Sequence, residues 1–374
     1  MQQAIANDLI RRLLEQVESN STEQCPDVLE EPADFFLNEK RWQQERQQFF
    51  IDTPQVVGFA GQIAKPGSYL TTEVMGTPIV ITRDEAGLVH AFINACGHRG
   101  AQVASGCGER RRLNCIFHGW SYTLDGKLAG RPQENAFDPA DERLNLRRLP
   151  INIDSGLIVV GSRPGISQHT VDHFLDDIAP QIQNYPFDSV IGLETRRIEV
   201  DANWKLVVGL SHEAYHFSVL HRKSLAPVMT ANAVFDFFGS HSRWGFPLRN
   251  IEELAQLPLD QWPVRPPAAF NHTFFPGTVV VVPPVDAQMI RVEPGSSPGK
   301  SVVYYSGVCE SEASRESSQQ AYEFGGDIFS TEDLPAAAQC QKGIGARNTV
   351  SFIGRNEPVV QFWHRLWRQN LLDE

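Results

Sequence analysis

The spacing of apolar and polar residues divides the chain into helical and β-rich segments. Apolar residues recur every three to four positions between residues 5 and 17, which predicts an amphipathic helix. Residues 35–50 predict a second helix, which ends at the Asp-Thr-Pro breaker at 52–54. From residue 56 to about residue 160 the pattern changes to short β-branched runs separated by turn signals. That region predicts an all-β module.

The return of helical spacing at residues 170–185 marks a second large domain. A Ser-Arg-Pro-Gly stretch at 162–165 precedes it, and we interpret this stretch as a linker. We therefore expect three parts: N-terminal helices over residues 1–53 that pack on the second domain, a β-rich domain over 54–161, and the second domain itself over 165–374.

Composition and charge narrow the classes of function. The chain has 374 residues, of which 41% are hydrophobic and 21% are charged, as is ordinary for a soluble globular protein. Its net charge of −12 argues against nucleic acid or an anionic membrane as the main partner, because both select a positive surface. No run approaches the roughly 18 apolar residues of a membrane span, and the N-terminus lacks a basic segment leading into an apolar one. We expect a cytoplasmic protein.

Two short segments each combine one thiol with one imidazole. Residues 96–100 read Cys-Gly-His-Arg-Gly, and residues 115–120 read Cys-Ile-Phe-His-Gly-Trp. Two cysteines and two histidines suit a Rieske [2Fe-2S] cluster, in which the histidines replace thiolates on one iron and raise the reduction potential. The same four side chains, Cys96, His98, Cys115 and His118, could also hold a tetrahedral zinc ion. The other cysteines are too scattered for a disulfide framework, and we expect free thiols at Cys25, Cys107, Cys309 and Cys340.

A second candidate site lies in the second domain, where Glu213, His216 and His221 gather one carboxylate and two imidazoles, which suits two of the three protein ligands of a mononuclear Fe(II) centre. Two histidines and one carboxylate bind one face of a non-haem Fe(II) ion and leave the other face open to dioxygen and substrate. Residues five apart lie roughly 140° around a regular α-helix, so the two histidines cannot share a face of one. The spacing predicts a break or a π-type bulge between them.

The flanks of both sites resemble the Rieske non-haem iron oxygenases, the family of aromatic ring-hydroxylating oxygenase alpha subunits. Cys-x-His-Arg-Gly and Cys-x-Phe-His-Gly-Trp-x-Tyr match its cluster domain, and Asn-Trp-Lys at 203–205 followed by Tyr-His at 215–216 matches its catalytic domain. The Glu-Asp pair at 332–333, with Gln341 and Gly343 behind it, resembles the late acidic segment of the family. The resemblance extends from about residue 34 to about residue 371 and favours a Rieske cluster over zinc.

The resemblance assigns roles to individual residues. It implies that Cys96, His98, Cys115 and His118 hold the [2Fe-2S] cluster, and that His216, His221 and Asp333 hold a mononuclear Fe(II). It makes Glu213 a bridge between an iron-bound histidine and a cluster histidine of the neighbouring subunit. Glutamate at that position resembles the carnitine and glycine betaine monooxygenase branch. The chain departs from the family where Gly209 and Leu210 replace the usual Glu-Asn.

The resemblance also implies an α+β architecture: an all-β Rieske domain, then a helix-grip catalytic domain with an antiparallel sheet and helices. It implies a homotrimeric terminal oxygenase that hydroxylates a small organic substrate with O₂. The chain has no Gly-rich nucleotide fingerprint, so electrons from NAD(P)H require a separate reductase, possibly with a ferredoxin. Basic residues near the cluster loops, Arg99 and 110–112, are a candidate docking patch for that donor. An electron-transfer protein without oxygenase activity is the alternative.

The sequence leaves two substrate classes open. Aromatic residues are frequent in the second domain, at Phe235, Phe237, Phe238, Trp244, Phe246, Phe270, Phe274 and Phe275. Most of them are expected to be core residues, but several facing the iron could hold an aromatic or polycyclic compound, or a quaternary amine through cation–π attraction. For a quaternary amine we expect an acidic residue in the pocket, and Asp236 and Glu194 are the candidates.

Overall fold

A computed structural model describes residues 1–139 and 141–371, which form two compact units. One unit comprises Met1–Arg46, Asp177–Tyr185 and the chain from Ile191 onward, and the other comprises Gln47–Asp176 and Pro186–Val190. The unit that contains Gln47–Asp176 therefore extends beyond both ends of the β-rich domain expected over residues 54–161. No helix among the described residues is both long and apolar enough to cross a membrane.

The α-helices of the described chain are α1 (Gln3–Glu18), α2 (Asp34–Leu37), α3 (Glu39–Glu45), α4 (Gln168–Asp172), α5 (Ala179–Ile182), α6 (Trp204–Gly209), α7 (Arg315–Ile328), α8 (Leu334–Arg347) and α9 (Pro358–Gln369). Two π-helical turns, Arg46–Ile51 and Phe329–Asp333, follow α3 and α7. Short 3₁₀ turns occur at Ala60–Ile63, Glu134–Ala136, Glu142–Leu144, Arg249–Gln256, Leu259–Gln261 and Glu312–Ser314.

The strands of the described chain are β1 (Leu29–Pro32), β2 (Gln55–Phe59), β3 (Ser68–Val74), β4 (Thr77–Arg83), β5 (Val89–Ile93), β6 (Cys107–Glu109), β7 (Leu113–Asn114), β8 (Ser121–Tyr122), β9 (Leu128–Gly130), β10 (Arg148–Leu149), β11 (Ile151–Asp154), β12 (Leu157–Val160), β13 (Ile191–Val200), β14 (Val234–Phe238), β15 (His241–Pro247), β16 (Ala268–Phe274), β17 (Thr278–Val282), β18 (Ala287–Pro294), β19 (Ser301–Cys309) and β20 (Val350–Ile353).

The smaller unit is built from three antiparallel sheets. Their strand orders are β10-β5-β4-β3-β6, β11-β12-β2 and β7-β8-β9. Buried Phe92, Trp120 and Tyr122 pack in one core cluster together with Cys96 and Cys115. The two cysteine loops are therefore backed by the core of this unit.

The larger unit is organised around a seven-stranded antiparallel sheet with the order β13-β19-β18-β17-β16-β15-β14. Helix α7 packs on β19, and α6 packs on β18. Strands β1 and β20, far apart in sequence, form a separate two-stranded ribbon. This combination of an antiparallel sheet with helices confirms the α+β class expected from the sequence.

The expected helix over residues 35–50 is instead divided in two. Asn38 has an extended backbone, and its side chain accepts a hydrogen bond from the backbone N–H of Arg41, so it caps the start of α3. This N–H has no partner within the helix, and the Asn38 side chain supplies one. The cap therefore favours the start of a new helix over the continuation of α2. The expected helical stretch at 170–185 likewise contains only the short helices α4 and α5.

A buried carboxylate joins α3 to the start of α6. Glu45 accepts hydrogen bonds from Lys205 Nζ at 2.6 Å and from Trp204 Nε1 at 3.0 Å, and its side chain is fully buried. Asn203 adds a second link, because its backbone N–H donates to the Oε1 of Gln341 on α8 at 2.8 Å. These bonds hold α6, which leads directly into the candidate iron ligands.

We predict that Glu45→Gln lowers the free energy of unfolding by about 3–5 kcal/mol, because it leaves the Lys205 ammonium buried without its counter-ion. Urea titration of the purified protein measures the change. The control is Asp201→Asn, which removes a carboxylate from an exposed ion pair with Lys300 and should leave the unfolding midpoint nearly unchanged. Equal midpoints for the two variants would contradict the role of Glu45.

Candidate metal centres

The two cysteine loops of the smaller unit share one backbone geometry. In each loop a glycine four residues after the cysteine donates its N–H to the cysteine carbonyl, Gly100 to Cys96 at 2.9 Å and Gly119 to Cys115 at 3.0 Å. Both glycines have positive φ, 77° and 71°, a conformation that residues with a Cβ rarely adopt. The glycines in the two motifs are therefore required by the shape of the loops.

The four predicted cluster ligands lie on these two loops as a pair of thiols and a pair of imidazoles. Cys96 and Cys115 are buried free thiols that interact with each other. The rings of His98 and His118 have centroids 4.7 Å apart. The Nδ1 atom of His98 is buried and has no hydrogen-bond partner among the described residues. Two free thiols and two adjacent imidazoles, one with an unpartnered nitrogen, fit the donor set of a Rieske cluster.

Tyr122 is a neighbour of this site that the sequence did not single out, apart from its place in the Trp-x-Tyr motif. Its oxygen accepts the Gly97 N–H at 2.9 Å, which leaves its hydroxyl proton free to donate to Cys96 Sγ, 3.2 Å away. Burial and the hydrogen bond to Cys96 raise the pKa of Tyr122, so the phenol stays protonated. It acts as a hydrogen-bond donor to the Cys96 sulfur.

The second candidate site forms where two separate segments of the chain meet in the larger unit. His216 and His221 lie in a series of turns after α6, and Asp333 ends the π-helical turn between α7 and α8. The segment that carries the two histidines is not a regular helix, as their five-residue spacing predicts. The backbone N–H groups of residues 224, 225 and 226 all donate to the His221 carbonyl, so the irregular hydrogen bonding continues after the second histidine.

The three side chains point at one another with metal-binding atoms. His216 Nε2 lies 3.1 Å from His221 Nε2 and 3.6 Å from Asp333 Oδ1, and His221 Nε2 lies 3.2 Å from Asp333 Oδ1. Among the described residues this is the one group of three or more such side chains whose ligand atoms lie within 4.8 Å of one another. A metal ion about 2.0–2.2 Å from each atom fits over a triangle of this size.

Two further carboxylates orient the histidines. Glu213 forms a short hydrogen bond to His216 Nδ1 and also accepts the His216 backbone N–H at 3.1 Å. Glu332 lies 2.8 Å from His221 Nδ1 and accepts a hydrogen bond from Ser224. Carboxylates on the Nδ1 side fix the tautomer that leaves Nε2 free for a metal. Sequence reasoning used Glu332 only as the partner of Asp333 and missed this role.

Burial and the neighbouring carboxylates shift the pKa of His221 in opposite directions. Burial lowers the pKa of the His221 imidazole, but hydrogen bonds and charge from Asp333 and Glu332 outweigh it and raise the pKa. The cluster of carboxylates around this ring therefore favours positive charge in the site. A divalent metal ion supplies such a charge.

A cavity of about 280 Å³ opens beside His216, His221 and Asp333. Trp244 and Phe246 line it, whereas the other six aromatic residues considered from the sequence do not. Leu210, which replaces the usual family asparagine, is also part of its wall and makes that wall apolar. Gly209 lies in open space, since an added Cβ would meet nothing within 4 Å.

The two acidic candidates for a cationic substrate lie outside this cavity. Asp236 forms ion pairs with Arg12 at 2.8 Å and Arg243 at 2.7 Å. Glu194 is largely exposed and lies 3.5 Å from Arg196. Neither candidate therefore supplies the acidic residue expected in the pocket for a quaternary amine, because both carboxylates are paired with arginines outside it.

His212, which precedes Glu213, is a buried ring without an acid–base partner. It stacks on Trp363 with ring centroids 5.5 Å apart, and neither ring nitrogen has a hydrogen-bond partner among the described residues. Burial and the nearby His364 lower the pKa of His212 to about 3. The ring is neutral and serves as packing between α6 and α9.

We predict that Tyr122→Phe lowers the reduction potential of the cluster by about 40 mV. One hydrogen bond to a ligand sulfur stabilises the reduced state by about 1 kcal/mol, and 59 mV corresponds to a tenfold change for a one-electron couple. A redox titration followed by visible circular dichroism measures the potential.

Tyr69→Phe is the matched control, because the hydroxyl of Tyr69 donates to the Ser105 carbonyl rather than to a cysteine. That variant should keep the wild-type potential. A Tyr122→Phe potential equal to that of wild type would show that this hydroxyl does not bond to the cluster ligand.

Several curated proteins with stated activities resemble this chain. The glycine betaine monooxygenase oxygenase subunit of Chromohalobacter salexigens is 29% identical over 197 residues, which are 52% of this chain and 43% of that protein. The carnitine monooxygenase oxygenase subunit of Escherichia coli is 25% identical over 328 residues, 84% of each chain. The match thus spans about half the length of the glycine betaine relatives and most of the carnitine relatives.

Solved structures share the fold. A quaternary ammonium Rieske monooxygenase in complex with an inhibitor matches with a TM-score of 0.79 at 20% identity, covering 94% of this chain and 100% of that one. Naphthalene 1,2-dioxygenase from a Rhodococcus species, bound to indole, matches with a TM-score of 0.75 at 18% identity, covering 98% of both chains.

Two family models account for both centres. Residues 53–150 match the Rieske [2Fe-2S] domain, and residues 187–373, half of the chain, match the catalytic domain of the ring-hydroxylating alpha subunit. These domains imply a Rieske cluster and a mononuclear iron, which sets aside the zinc alternative. The chain belongs to the family of Rieske oxygenase alpha subunits.

Proposed function

We propose that this chain is the terminal oxygenase of a multicomponent system and hydroxylates a small organic substrate with O₂. The observation that carries the proposal is the triangle of His216 Nε2, His221 Nε2 and Asp333 Oδ1 at the wall of a cavity. When bound, a Rieske cluster supplies single electrons, and a mononuclear Fe(II) with open coordination positions supplies dioxygen activation. A chain that only carried electrons would not need this second site.

The protein side chains have distinct parts in this proposal. Cys96, His98, Cys115 and His118 hold the cluster, and His216, His221 and Asp333 hold the iron. Glu213 and Glu332 keep the two imidazoles in the orientation that presents Nε2. The apolar wall around Trp244 and Phe246 binds the substrate body and excludes water.

The proposal includes a homotrimer in which Glu213 of one copy faces a cluster histidine of the next. Exposed apolar side chains beside both groups support it. Ile116 and Phe117, next to His118, are 90% and 54% exposed. Tyr215 and Val219, close to Glu213, are 68% and 81% exposed. Such residues favour burial against another surface.

The proposed electron source is a separate NAD(P)H-dependent reductase, with or without a ferredoxin. Arg111 and Arg112 are exposed beside the cluster loops, and Arg99 lies over the Phe117 ring at 5.1 Å. A basic patch on an acidic chain suits an acidic donor.

We predict that Asp333→Ala protein contains about two irons per chain instead of about three and keeps the visible spectrum of the cluster, because only one metal site loses a ligand. Glu213→Gln should retain all three irons yet slow O₂-dependent reoxidation of the reduced cluster at least tenfold, since it alters a residue that acts through His216. Iron analysis and stopped-flow absorbance measure the two effects.

Asp327→Ala is the control, because Asp327 is an exposed carboxylate of α7 only six residues before Asp333. It should keep wild-type iron content and reoxidation rate. Full iron content in Asp333→Ala, or an unchanged rate in Glu213→Gln, would refute the corresponding role.

A further inference from the structure

The cavity beside the iron ligands contains almost no charge. Apart from His216, His221 and Asp333, the described residues that line it include no aspartate, glutamate, lysine, arginine or histidine. Arg249 lines a neighbouring cavity, and Phe217 and Met229 belong to the walls of both. The guanidinium of Arg249 is therefore outside the cavity beside the iron ligands.

This charge distribution disfavours ionic substrates. A carboxylate in the cavity would lose its hydration without gaining a cationic partner, which is costly in an apolar site. A quaternary ammonium would exchange its hydration for aromatic faces and the carboxylate of Asp333. Each cation–π contact contributes about 2 kcal/mol or more when desolvated, against the larger cost of removing an isolated ion from water, a cost that a neutral molecule does not meet. The lining therefore favours a neutral molecule.

Most polar groups of the cavity wall are already paired. The Tyr305 hydroxyl donates to Gln288 Oε1 at 2.7 Å, and the Gln288 amide donates to the Ala321 carbonyl at 3.4 Å. Burial raises the pKa of Tyr305, so its phenol stays neutral. These two side chains satisfy each other and stiffen the wall.

Asn271 is different, because one end of its amide has no partner. It lies on β16 opposite Trp244 of β15 and Val281 of β17, and all three line the cavity. Its Nδ2 donates to the Ser211 carbonyl at 3.2 Å, which fixes the orientation of the amide. Its Oδ1 is buried and has no hydrogen-bond partner among the described residues, and the residue is 6% exposed.

We propose that Asn271 is a specificity-determining residue: its Oδ1 accepts a hydrogen bond from a neutral, mainly apolar substrate that carries one N–H or O–H group. The inference rests on the proposed function for the identity of this cavity as the substrate site. A buried acceptor without a partner is costly, and a substrate donor relieves that cost. A substrate analogue of the same shape without the donor leaves the acceptor unpaired and binds more weakly.

The test compares indole with 1-benzothiophene, which has the same bicyclic shape but sulfur in place of N–H. Isothermal titration calorimetry on the iron-loaded holoenzyme measures both dissociation constants. Indole should bind about five- to tenfold more tightly than 1-benzothiophene. L-carnitine and glycine betaine should bind more weakly than either.

Asn271→Leu replaces the amide by an apolar side chain of similar size. It should abolish the preference for indole while 1-benzothiophene binds at least as well as before. Thr273→Val is the control, since Thr273 is buried two residues along the same strand and does not line the cavity. That variant should keep the preference.

Equal affinities of the wild type for indole and 1-benzothiophene would overturn the assignment, whether or not Asn271→Leu folds. So would tighter binding of carnitine or glycine betaine, or no binding of either bicyclic compound. These results concern binding only. Loss of the proposed oxygenase function would appear instead as missing O₂-dependent product while the calorimetric preference persists.

Discussion

The orientation of two imidazole rings is the constraint on which the catalytic unit depends. His216 and His221 can present Nε2 to one point only because carboxylates occupy their Nδ1 sides, Glu213 on one ring and Glu332 on the other. A regular helix could not bring residues five apart onto one face. The chain therefore forms irregular turns there, and a π-helical turn places Asp333 opposite them.

The two histidines lie more than 100 residues before Asp333 in the sequence. Their relative positions therefore depend on contacts between the segments that carry them. Glu45 holds the start of α6 through Trp204 and Lys205, and Asn203 joins it to Gln341 of α8, the helix that follows Asp333. The Asn-Trp-Lys motif thus stabilises the positions of the ligands without touching them. Breaking a buried ionic link of this kind is strongly destabilising.

The motifs predicted the thiol and imidazole donors of both sites, whereas Asp333 was implied only by the resemblance to the family, and helix geometry predicted the break between His216 and His221. It did not predict contacts that depend on tertiary structure. Tyr122 and Glu332 lie within motifs, but nothing local indicates that they contact Cys96 and His221, and Asn271 in the cavity wall belongs to no motif. The single helix expected over 35–50 was wrong, because periodicity does not register that Asn38 caps a new helix.

Nitric oxide binding tests directly whether His216, His221 and Asp333 form an iron site with open coordination positions. With the cluster oxidised and the mononuclear site loaded with Fe(II), exposure to nitric oxide should give an S = 3/2 electron paramagnetic resonance signal of about one per chain. Asp333→Ala should lose that signal. Iron-replete protein without the signal, or a full signal in Asp333→Ala, would contradict the account.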